Sequence, residues 1–131
     1  MEKILDAIVI AVFTVVSILL VIGVREARRY RTTGTETHLR KHRLTMKSVF
    51  FFVVAGVLIL EIAIRLNLIH SGGHEFFWVH LVFAVPFFTL LTLLSFWKDG
   101  IRAPKIHKRL GYLCLFTFVC TLVTGLIFLL A

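Results

Sequence analysis

The chain reads as an all-α polytopic membrane protein, four transmembrane helices in an antiparallel bundle, on three observations. Of its 131 residues 59% are hydrophobic, which is too apolar for a soluble domain of this length. The apolar residues fall in four runs, at about 4–24, 48–68, 76–97 and 110–130, each near the roughly 20 residues that a helix needs to cross the hydrocarbon core. The positive charges, finally, gather in two of the three connections: Arg25, Arg28, Arg29, Arg31, Arg40, Lys41, Arg43 and Lys47 flank the first, and Lys98, Arg102, Lys105, Lys108 and Arg109 the third. Positive connections stay in the cytoplasm, so the N-terminus, the Ser71-Gly72-Gly73 turn and the C-terminus are expected outside. The net charge of +8 then follows from membrane topology without a nucleic acid, and the same basic faces can attract anionic lipid headgroups. One membrane domain over residues 1–131 leaves no room for a soluble one.

The first run is Val, Ile and Leu, interrupted by Thr14 and Ser17. Its leader is hardly basic and no small-residue cleavage pattern follows, so it is expected to be a retained helix and not a signal peptide. A basic linker follows, with Thr32-Thr33-Gly34 as its flexible point and Thr35 or Thr37 as the cap of the next helix. If that helix starts before the membrane, His38, His42 and Met46 fall at i, i+4 and i+8 on one face.

The second run carries Glu61 and Arg65, four apart with the acid first, the favourable order for a helical ion pair. It ends at His70-Ser-Gly-Gly-His74, where two glycines permit a tight reversal. The third run opens on His74 and holds His80, roughly 9 Å further along the helix. Pro86 follows and removes a backbone hydrogen bond near its middle, where a kink is expected. The turn-rich segment Lys98–Pro104 leads to His107-Lys-Arg-Leu-Gly-Tyr112, which opens the last run. Thr121, Thr124 and Gly125 are small or hydroxylated packing positions there. Cys114 and Cys120 lie six apart on that one helix, too far for a disulfide, and are expected as buried free thiols.

The histidines are the chemically informative residues, because a polar ring carried into hydrocarbon needs a partner. His38, His42 and His107 belong to the cytoplasmic side; His70, His74 and His80 lie toward the outside. A straight helix sets His42 and His70 roughly 40 Å apart, so one metal cannot hold both groups. The expectation is an inner site between the second and fourth helices (His42 with His107, Met46 as alternative ligand), an outer site (His80 with His70 or His74), or both. Glu61 and Arg65 would orient the outer ligands from behind. Imidazole donors without thiolate pairs or many carboxylates suit copper, zinc or haem b. The competing reading is plainer: His38 and His107 as solvated interfacial residues, His70 and His74 as helix ends, His80 and the Glu61–Arg65 pair as interhelical polar contacts. Phe50-Phe51-Phe52 and Phe76-Phe77-Trp78 read as lipid-facing aromatics.

His42-Arg-Leu-Thr-Met46, His80 followed by Pro86, His107-Lys-Arg-Leu-Gly111 and Thr124-Gly125 together resemble the YozB/CtaM family of small four-helix membrane proteins, over roughly residues 37–130. The likeness implies a role in the biogenesis of haem–copper terminal oxidases in the bacterial plasma membrane, with an oxidase or its assembly factors as partners. Two departures stand out: Phe116-Thr-Phe-Val-Cys120 where that family usually carries Trp-Leu-Tyr, and a shorter outer turn. The His107 segment is also similar to the fourth-helix entry of b-type membrane cytochromes, which makes an electron-carrying cytochrome the alternative. A third is a non-catalytic accessory membrane subunit. No nucleophile–base pair, phosphate loop or paired carboxylate is present to found a hydrolase or transferase.

Overall fold

The computed structural model describes residues 2–66, 74–97 and 103–130, the side chains of Glu2, His74, Phe76 and Leu130 excepted. Four helices occupy them: α1 (Glu2–Thr33), α2 (Glu36–Arg65), α3 (His74–Phe96) and α4 (Pro104–Leu130). At 1.5 Å per residue each exceeds the roughly 30 Å of a bilayer core, and all four carry a window apolar enough to cross it. The chain divides between Ile69 and His70 into two compact units. In the first α2 runs back along α1, and in the second α4 runs back along α3. The described residues adopt the expected all-helical class, with four helices long and apolar enough to cross a membrane, built as two antiparallel hairpins.

α1 is rich in β-branched residues that favour helix poorly in water, a composition suited to lipid, where the backbone has no other partner and peptide groups pair within the helix. The two hydroxyls of its apolar stretch are satisfied in the same way: Thr14 donates to the Ile10 carbonyl and Ser17 to that of Phe13, both at 2.8 Å. Thr89 and Thr92 do so in α3, and Thr117, Thr121 and Thr124 in α4.

The first connection differs from its expected form. The basic run after Val24 is helical as far as Thr33 and only Gly34 and Thr35 join α1 to α2. Arginine and alanine are strong helix formers, and the extension carries the α1 contact face on from Leu20 to Glu26, both buried. Gly34 supplies the reversal with a left-handed φ of 67°, a conformation that costs other L-residues roughly 1–2 kcal/mol, while its N–H closes on the Tyr30 carbonyl at 2.8 Å. Thr35 is the N-cap by backbone conformation, without a side-chain capping bond. The second run ends as a helix at Arg65, and the Ser71-Gly72-Gly73 turn lies outside the described residues, as does most of the Lys98–Pro104 segment. α3 continues through Pro86, and Pro104 opens α4, where a missing N–H costs nothing.

Both hairpins close on seams whose buried residues are separated by three or four positions or by sums of these, so that each set lies on one face of its helix. In the first, Val9, Val16 and Leu20 face Val49, Val53 and Ala63, all buried. In the second, Phe87, Leu91 and Leu94 face Cys114, Phe118 and Phe128. Ring contacts fix its register: Phe87 lies 5.2 Å from Phe118 and Phe77 6.2 Å from Phe128. Away from the seams the surface is apolar, with Ile10, Ile18, Val57 and Ile62 exposed, compatible with contact to lipid. Of the two aromatic runs Phe51, Phe52, Phe77 and Trp78 share that exposure, Phe50 is half-buried, and the side chain of Phe76 lies outside the described residues. Both cysteines carry free thiols, Cys114 buried and Cys120 half-buried.

Candidate functional site: two histidines seated on glycines

The seam of the first hairpin turns polar near its Gly34 end. Gly23 is buried on α1, and the groups of α2 crowd onto the space its missing side chain leaves. A Cβ there would lie 3.0 Å from Met46 Sδ and 3.9 Å from His42 Nδ1. His42 Nδ1 reaches the Gly23 carbonyl at 2.7 Å. A carbonyl only accepts, so this ring nitrogen carries the proton and the Nε2 of the neutral ring keeps its lone pair. One turn nearer the connection His38 Nδ1 meets Glu26 Oε2 at 2.6 Å, and Arg29 approaches the other oxygen at 3.6 Å. Glu26 is thus a carboxylate turned inward from a run of arginines and held by one group from each helix.

The second hairpin repeats the arrangement with the helices exchanged. His80, on α3, lies over Gly125 of α4, where a Cβ would come within 3.2 Å of Cε1 and 3.5 Å of Nδ1. Its Nδ1 is 3.1 Å from Thr124 Oγ1. The single hydroxyl proton of Thr124 is given to the Cys120 carbonyl at 2.8 Å, so Oγ1 accepts from His80, whose ring N–H is also met by the Thr121 carbonyl; a proton held at Nδ1 again makes Nε2 the basic nitrogen. Fixing one ring nitrogen by a hydrogen bond sets both the orientation and the tautomer of an imidazole that binds iron, copper or zinc through the other.

The remaining expected residues are placed differently. His107 stands in the first turn of α4 with its ring 5.8 Å from that of Trp97, and its N–H bonds to the Ala103 carbonyl at 3.0 Å. His42 and His107 are each described within their own hairpin. His74 begins α3 with its side chain outside the described residues, and His70 lies outside them altogether, so nothing is added to the expected pairing of either with His80. Glu61 and Arg65 form their expected i, i+4 ion pair, Nε to Oε1 at 2.7 Å, but with side chains 53% and 78% exposed. They sit on the outer face of α2, and the described contacts join them to each other and to no histidine.

Ligand count sorts the expected cofactors. No group of three or more His, Cys, Asp or Glu donors converges among the described residues, whereas a structural zinc site takes four protein ligands. Haem asks for less, since the porphyrin supplies four nitrogens and the protein one or two axial side chains. Single, oriented imidazoles fit that demand. Glu26 and Gly23 escape a reading of the sequence alone, although both continue the three-and-four spacing of Val16 and Leu20. Thr124 is legible there only as a packing residue.

Fold and site together define a class: a helical protein of four helices long and apolar enough to cross a membrane, with a histidine seated on a glycine of the opposite helix in each of two hairpins. Within that class no family model, no curated protein and no solved structure matches the chain.

Proposed function

We propose that this is a multi-pass protein of the bacterial plasma membrane, with its basic connections cytoplasmic, that holds haem through the imidazoles of His42 and His80 and serves the assembly of a respiratory haem–copper oxidase. One observation carries the reading: in both hairpins Nδ1 is turned to the neighbouring helix, to the Gly23 carbonyl at 2.7 Å and to Thr124 Oγ1 at 3.1 Å, which fixes each ring and makes Nε2 the nitrogen that would coordinate. When bound, haem supplies one-electron chemistry. The chain's own residues orient the two rings, hold the Nδ1 protons and surround the site with apolar side chains. The oxidase partner follows from the resemblance of the His42-x-x-x-Met46, His80–Pro86 and His107 segments to the YozB/CtaM family. Copper or zinc held by the same rings is the variant of this reading that needs further ligands, from His70, His74 or a partner protein.

Thr124→Ala tests the proposal without deleting a ligand. It removes one of the two groups that hold the His80 ring, leaving the Thr121 carbonyl as the other, and loss of such a partner typically costs about 10–100-fold in affinity for the bound metal centre. Haem and metal content of the purified variant should fall while its helical circular dichroism is kept. Unchanged content would support a second reading, favoured by the Glu26–His38 pair in the same seam: an accessory subunit whose histidines only join helices.

A further inference from the structure

The register of the first hairpin places part of its positive charge unusually. His42 is bonded to Gly23, so the α2 residues beyond His42 run alongside the apolar stretch of α1 below Gly23 and not beside its arginines, the first of which is Arg25. Arg40, Arg43 and Lys47 stand at i, i+3 and i+7 on α2, one stripe of the helix that is turned away from the seam residues His42, Met46 and Val49. All three are exposed. The stripe is interleaved with apolar side chains equally exposed: Leu44 at 67% and, one turn past Lys47, Phe51 at 61%. Among the described residues Glu26 pairs with Arg29 and His38 and Glu61 with Arg65, and no acid forms an ion pair with the stripe. Glu26 is committed to the seam, and the exposed Glu36, one turn before Arg40, offsets charge only at that end, away from Arg43 and Lys47.

Cations rising over roughly 10 Å of helix and ending on an exposed phenylalanine match the depth profile of a phospholipid, phosphate above and acyl chain below. A soluble acidic partner meets charge but not the apolar floor. We propose that Arg40, Arg43 and Lys47 form a docking surface for an anionic phospholipid, its headgroup phosphate against the cations and its chains over Leu44 and Phe51. The proposal is independent of any cofactor.

The full-length protein in a neutral detergent, offered phosphatidylglycerol or phosphatidylcholine and examined by native mass spectrometry, provides the test. Phosphatidylglycerol should be retained in preference. Each basic residue at a lipid surface is worth about fivefold in affinity, so the Arg43→Gln/Lys47→Gln double variant should lose about 30-fold in phosphatidylglycerol retention. Arg28→Gln/Arg31→Gln, with the same loss of charge on α1, should lose only a few-fold. Equal losses in the two variants, equal retention of the two lipids, or displacement of the lipid by millimolar inorganic phosphate would each overturn the proposal.

Discussion

Each of the two seated histidines rests where the opposite helix has no side chain, and α4 allows that contact to be weighed. Gly125 carries the His80 ring at 3.2 Å from the place of its missing Cβ, whereas a Cβ on Gly111 meets nothing within 4 Å. Replacing either glycine by alanine gains up to about 1 kcal/mol of helix propensity. Only Gly125→Ala also overpacks an interface, at a cost of about 1–3 kcal/mol. Gly111→Ala should therefore be the more stable of the two variants by about 1–3 kcal/mol when both are unfolded in the same detergent. The reverse order would mean that His80 does not lie over Gly125.

At the scale of the helices, the seams decide what a sequence can reveal. The four spans are legible because hydropathy needs no knowledge of partners, and the i, i+4 pairing of Glu61 with Arg65 because helical spacing is local. The extension of α1 to Thr33 is less so, since a run of arginines looks like a connection until His38 is found opposite Glu26. Which carbonyl His42 reaches is set by the register of α2 on α1, a property of two segments at once. Gly56 offers a test of that register: a Cβ there would fall 2.9 Å from Val12 Cγ1. Valine is stiff at χ1 and cannot swing aside freely. Gly56→Ala should cost about 1–3 kcal/mol, and most of that loss should disappear in the Gly56→Ala/Val12→Ala double variant, because residues in contact do not contribute additively. Simple additivity in denaturant unfolding would place Val12 elsewhere.

For the whole molecule, charge distribution and histidine placement make separate statements. On the proposed topology the basic residues about Gly34 keep that end of the first hairpin in the cytoplasm. In intact cells a membrane-impermeant thiol reagent should label Lys3→Cys and leave Thr35→Cys unlabelled until the membrane is opened; the opposite pattern would invert the topology. The histidines speak to function: His42 lies at the basic end of its hairpin, and His80 at the end of the other hairpin away from the basic opening of α4. The reading of these rings as ligands is met most directly by a reduced-minus-oxidised absorption spectrum of the purified full-length protein. The expected result is a b-type haem band that weakens in His42→Gln and in His80→Gln. A colourless protein, or a band indifferent to both substitutions, would contradict it.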